Sequence, residues 1–269
     1  MAFRFAPGQP LKHPVRQHQE KINMTLREEF ESTGAWLFRW RSYLPFLFSV
    51  VYILALRNFK YPGHDEELDQ LWEILCLLIS FFGLGIRIVT VGYAPKGTSG
   101  RNTKKQKADT LNTTGIYSVV RHPLYLGNFF MGLGVSFFAH LWWLIIIYIL
   151  AFWVYYERIM FAEEAYLSNK FGDEYLQWAK RTPTFIPSFK QWERPHIPFS
   201  LRIVLKKEYN SFFAVIIILF ISEVIGDMFA KGKIELDFMW AVLVGFSFFI
   251  WITILLLKKK TKLLHVEGR

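Results

Sequence analysis

The densest run of chemically capable residues is Gly115-Ile-Tyr117-Ser-Val-Val-Arg121-His122-Pro123-Leu-Tyr125-Leu-Gly127-Asn128. Pro123 suits the first turn of a helix, where a missing N–H costs nothing. Arg121 and His122 would then lie at that helix's N-terminus, beside unpaired backbone amides. Such a place suits an anion or a carboxylate-bearing ligand. It suits equally a lipid phosphate held by Arg121, with His122 as a simple cap. A second run, Glu157-Arg158 followed by Glu163-Glu164, ends another apolar block. Helical phase sets Glu157, Met160 and Glu164 on one face. Two successive carboxylates where a membrane helix leaves the bilayer need a cation or water. If the two blocks form an antiparallel hairpin turned at His140-Leu-Trp-Trp143, His122 and Glu164 become neighbours. His140 itself reads as an interfacial residue. Phe171-Gly-Asp-Glu-Tyr175 and Lys180-Arg181-Thr-Pro-Thr-Phe-Ile-Pro187 would fold back over that junction.

The elements that must position these residues are written in the composition. Of 269 residues, 52% are hydrophobic and 18% aromatic. The apolar residues gather into blocks at 44–56, 71–91, 124–138, 142–156, 212–229 and 238–257. Two of these reach or approach the roughly 20 residues that cross a hydrocarbon core, and the others do so with their aromatic flanks. The expected fold is all-α: a polytopic membrane bundle of about six spans with a cytoplasmic cap at 163–207. That excludes a soluble globular domain and intrinsic disorder. A single cysteine, Cys76, excludes a disulfide framework. The first 30 residues are polar and charged, with no apolar signal-peptide core. Three regions are expected. Residues 1–42 form a cytoplasmic segment whose interfacial helix opens at the capping box Thr25-Leu-Arg-Glu28. Residues 43–190 form the core, and 191–269 a helical hairpin with a basic tail.

The net charge of +10 is mostly a topology signal. In a six-span arrangement, 27 of the 32 Lys and Arg fall on one side, which puts both termini and the long loops in the cytoplasm. Nucleic acid is not an expected partner; the bilayer and a membrane lipid are. The loop 94–107, Ala94-Pro-Lys96-Gly97-Thr-Ser-Gly-Arg101-Asn-Thr-Lys-Lys-Gln-Lys107, can be read as a phosphate cradle or as a solvated basic loop. Gly83 and Gly85 can be read as helix packing or as room for a ligand.

Together these motifs resemble the integral-membrane methyltransferases that include isoprenylcysteine carboxyl methyltransferase and the phospholipid methyltransferases. The matching residues are Arg121-His122-Pro123-Leu-Tyr125, the pair Glu163-Glu164, Phe171-Gly-Asp-Glu-Tyr175 and Arg181-Thr-Pro183. Gly83-Leu-Gly85 matches the Gly-x-Gly of the phospholipid branch. The resemblance covers roughly 75–190 and implies S-adenosylmethionine as cofactor, with no metal. It implies cofactor contacts from Gly83, Gly85, Tyr117, His122, Pro123, Tyr125, Glu163 and Glu164, with Tyr117, Tyr125 and Phe185 as adenine walls. The chain departs from the isoprenylcysteine enzymes in its basic insertion and in two apolar blocks that follow the motifs. Gly97-Thr-Ser-Gly-Arg-Asn-Thr103 and Leu111-Asn-Thr-Thr-Gly115 resemble a bacterial branch that includes the lipid A 1-phosphate methyltransferase. The expected acceptor is therefore a lipid phosphate in a bacterial inner membrane, handled by Arg121, Arg158 and Arg181. A prenylcysteine carboxylate or a phospholipid amine is the alternative acceptor. A reading from another class is a small transporter, with Glu223 and Asp227 as a proton or cation site or, for Asp227, as part of a polar stripe at the outer headgroups.

Overall fold

A computed structural model describes residues 25–41, 43, 45–61, 66–95 and 108–266. The basic loop at 96–107, the chain break read at 62–65 and the termini at 1–24 and 267–269 lie outside the described residues. Among the described residues all regular structure is helical. The α-helices are α1 (Leu26–Trp40), α2 (Pro45–Leu56), α3 (Glu66–Gly92), α4 (Pro123–Phe138), α5 (Trp142–Phe171), α6 (Asp173–Arg181), α7 (Leu201–Lys231) and α8 (Phe238–Lys260).

Four of these, α3, α5, α7 and α8, are long and apolar enough to cross a membrane. The first and third expected spans are shorter, 12 residues in α2 and 16 in α4. At 1.5 Å per residue they rise about 18 and 24 Å, less than the roughly 30 Å of a hydrocarbon core. Among the described residues four helices thus meet the length and composition of a span, with two shorter apolar helices beside them, and six complete spans are not confirmed. Lipid-facing positions are large and apolar, as at Phe246 and Phe249 of α8.

Small residues set how closely the helices pack. A Cβ on Gly83 would collide with the Gly127 carbonyl, and one on Gly134 with Ser80 and the Cys76 carbonyl. These contacts hold α3 against α4 at backbone distance. Helix α1 crosses α5 in the same way, with Gly34 against the Arg158 carbonyl. The expected capping box at its start is present: Thr25 N–H donates to Glu28 Oε2 at 2.8 Å, and Glu28 N–H to Thr25 Oγ1 at 3.4 Å.

Antiparallel neighbours divide the polar residues between two ends. One end carries Arg87, His122, Glu163, Glu164 and Glu208. The other carries Asp69, Glu73, His140, Glu223 and Asp227. An apolar cluster including Tyr52, Leu56, Cys76, Phe138, Leu144, Leu219 and Trp240 fills the second end. A smaller one of Phe38, Tyr125, Ile159 and Met160 lies beneath the first.

Candidate functional site

The hairpin of α4 and α5 brings the two sequence runs together as expected. His122 occupies the N-cap position of α4 without a side-chain capping bond, with Pro123 in the first turn, and Glu163 and Glu164 extend from the last third of α5. His122 Nε2 lies 3.0 Å from Glu164 Oε1, and Nδ1 lies 3.5 Å from Glu163 Oε2. Arg121 donates through Nη1 to Glu164 Oε2 at 2.8 Å and through Nη2 to Thr184 Oγ1. Two cations and two carboxylates therefore close into one network. The cap holds it from above. Arg121 N–H donates to the Pro183 carbonyl at 2.9 Å, Ser188 N–H to Val119 O at 3.0 Å, and Trp178 Nε1 to Tyr117 O at 3.0 Å.

His122 is buried, and burial by itself disfavours the imidazolium. Hydrogen bonds and charge from Glu163 and Glu164 outweigh that cost and hold its pKa above the ordinary histidine value. A raised folded-state pKa adds stability that is fully present below the unfolded value near 6.5 and disappears as pH rises through the folded value. The thermal midpoint in detergent should accordingly fall as pH rises from about 6.5 into the alkaline range. In His122→Gln that part of the pH profile should flatten. An identical profile in both proteins would show that His122 is not the titrating group.

The remaining expected site residues divide. Tyr125 is buried and nearly parallel to His122, with ring centroids 5.7 Å apart and planes at 18°; it also packs on Tyr156 at 4.8 Å. Tyr117 sits in the 3-10 turn Gly115–Ser118 beneath α6. Gly83 is occupied in helix packing, whereas nothing stands within 4 Å of where a Cβ on Gly85 would point. Glu157 is exposed, away from buried Met160. The unpaired amides expected at the start of α4 are narrowed, because the Tyr125 and Leu126 N–H groups both donate to the His122 carbonyl at 3.1 Å. Phe185 packs on Phe129, Phe152 and Trp153, on the cap side of α5.

The three expected arginines do not converge. Only Arg121 belongs to the network, and its Nε is buried without a hydrogen-bond partner among the described residues. Arg158 lies over the Phe30 ring at 4.9 Å and reaches Thr33 of α1. It borders an apolar groove between α1 and α5, lined also by Trp36, Leu37 and Val154. Arg181 is exposed, 3.7 Å from Glu193.

Sequence reasoning missed the support behind the network. Arg87 of α3 grips Glu208 of α7 through two bonds of 2.9 and 2.8 Å and donates to Asn128 Oδ1 at 2.6 Å. Asn128 in turn donates to Tyr156 at 3.2 Å. The available signal was Arg87 itself, the one basic residue inside the apolar block at 71–91.

Comparison with known proteins singles out this region. Residues 74–174 match the family model described as phospholipid methyltransferase. The chain is 38% identical over 85 residues to the protein-S-isoprenylcysteine O-methyltransferase of Schizosaccharomyces pombe, covering 32% of this chain and 36% of that one. It is 33% identical over 144 residues to the human enzyme of the same description, covering 51% and 48%. It is also 34% identical over 140 residues to the cobalt-zinc-cadmium resistance protein CzcN of Cupriavidus metallidurans, covering 51% and 60%. The chain thus spans between about a third and three fifths of these relatives' lengths. No solved structure matches it.

Proposed function

Because residues 74–174 carry the phospholipid methyltransferase family segment, we propose that the protein transfers a methyl group from S-adenosylmethionine to a phosphorylated membrane lipid. The observation that carries this reading is the closed network of Arg121, His122, Glu163 and Glu164 inside that segment. The donor set suits the cofactor's charges. Glu163 and Glu164 would hold its cationic amino and sulfonium groups, Arg121 its carboxylate, and Tyr125 and Tyr117 would flank the adenine. The orphaned Arg121 Nε and the open face of Gly85 supply an unused donor and space. When bound, S-adenosylmethionine supplies an electrophilic methyl for in-line displacement.

The chain's own residues need only align the acceptor, exclude water and balance charge. A phosphate is already anionic at neutral pH, so no group must remove a proton from it. The network also offers no spare base, since Glu164 is engaged by both Arg121 and His122, and this favours an oxyanion over an amine. The apolar groove beside Arg158 suits lateral entry of a lipid chain, with the guanidinium beside the head group. In the bilayer, the network end faces the cytoplasm, where the cofactor is made.

The test is purified protein in nanodiscs with methyl-labelled S-adenosylmethionine and three acceptors: a lipid bearing a phosphate monoester, phosphatidylethanolamine and a farnesylcysteine. Label in the phosphate ester is the expected result. Label only in farnesylcysteine or the amine would reject the phosphate acceptor while keeping methyl transfer. No label in any of them, with no binding of S-adenosylmethionine, would reject methyl transfer too.

A further inference from the structure

The opposite end of the bundle holds a group of charges that methyl transfer does not use. Asp69 and Glu73 lie in the first two turns of α3, and Glu223 near the end of α7. All three are buried, at 4%, 2% and 8% exposure, and one carboxylate oxygen from each lies within 4.8 Å of the other two. Helix α4, rising about 24 Å over its 16 residues, separates them from His122.

Nearby donors account for only part of this charge. His140 Nε2 lies 3.0 Å from Asp69 Oδ1, its ring held between Phe59 and Trp72. Trp240 Nε1 donates to Glu73 Oε2 at 3.1 Å. Asp227, the next carboxylate along α7, is turned to Tyr61 and lies 3.8 Å from Lys231. It is itself buried, at 3% exposure. What is left is Glu73 Oε1 and Glu223 Oε2, each fully buried and with no donor among the described residues beyond a proton that the two carboxylates can share with each other. Burying carboxylates without full compensation is costly, and the intramembrane setting makes the cost no smaller.

We propose that Asp69, Glu73 and Glu223 form a binding site for one hard divalent cation of the Mg, Mn or Ca type. With Asp69 held by His140, the three clustered carboxylates supply the anionic oxygen donors that a single divalent ion needs. The geometry agrees. Oxygen ligands at about 2.0–2.6 Å from an ion are at most about 4–5 Å from each other, the spacing found here. All-oxygen ligation selects hard cations, and His140 would orient Asp69 from behind. Bound there, the ion ties α3 to α7 at the end remote from the network, so its role is structural or regulatory. This inference does not depend on the methyl-transfer reading.

The experiment uses the full chain in detergent, stripped with EDTA and desalted, then titrated with MnCl2 and followed by Mn electron paramagnetic resonance and thermal midpoint. Wild type should take up close to one Mn per chain, displaced by CaCl2 or MgCl2, with a rise in midpoint. Glu223→Gln and Glu73→Gln, which keep side-chain volume, should each bind at least tenfold more weakly and show no rise. Absence of saturable uptake by wild type would overturn the proposal and leave shared protons as the compensation. So would undiminished uptake in both variants. Should neither variant fold, Asp69→Asn and the wild-type titration decide the matter by the same criteria.

Discussion

Glu208→Ala is expected to lower stability by about 3–5 kcal/mol, the cost of leaving a largely buried guanidinium without its carboxylate. For a chain of this size that is a fall in thermal midpoint of roughly 6 to 20 °C. Glu208 is 4% exposed and accepts two bonds from Arg87, at 2.9 and 2.8 Å. Arg87 is the junction of a relay that continues through Asn128 to Tyr156 and by ring contact to Tyr125 and His122. Loss of the carboxylate should therefore also loosen the network. The double change Arg87→Met with Glu208→Leu should recover much of the stability, because replacing both partners by apolar groups removes the unpaired charge. A Glu208→Ala protein with a midpoint within a degree or two of wild type would show the pair to be solvated, and the relay to carry nothing. The C-terminal hairpin thereby acquires a role: α7 anchors the helix that backs the site.

The second large effect is expected on cofactor binding. Glu164 is the one carboxylate shared by Arg121, at 2.8 Å, and His122, at 3.0 Å. Glu164→Ala removes a charge-assisted contact to the proposed cofactor and leaves both cations underbalanced. A loss of about 1.5–3 kcal/mol corresponds to roughly tenfold to hundredfold weaker S-adenosylmethionine binding. Glu163 still faces His122, so the fold should survive. His122→Ala should weaken binding by a similar factor, and Glu157→Ala, at an exposed position, should not. Titration calorimetry of the folded proteins measures this directly. Unchanged affinity in both Glu164→Ala and His122→Ala would remove the site from this junction.

The helical class, the hairpin that joins His122 to Glu164 and the cap over them were legible in the sequence. Each follows from a local rule: apolar length, a proline tolerated only in the first turn, a capping box, and antiparallel neighbours through a short turn. The span count was not legible in the same way. Blocks at 44–56 and 124–138 read as spans by composition, but their helices are 12 and 16 residues long, and where a helix starts and stops depends on its neighbours. The fate of single residues was decided by tertiary packing. Gly83 meets the Gly127 carbonyl while Gly85 faces open space, though the two look alike in the motif. Arg158 is drawn to the Phe30 ring of α1 and away from Arg121. Sequence supplied the charges, and periodicity supplied their faces. Only the three-dimensional crossing of helices distant in sequence could pair Arg87 with Glu208, or bring Asp69, Glu73 and Glu223 within 4.8 Å. The physical reason is that buried charges find partners by proximity in the fold, which no local pattern encodes.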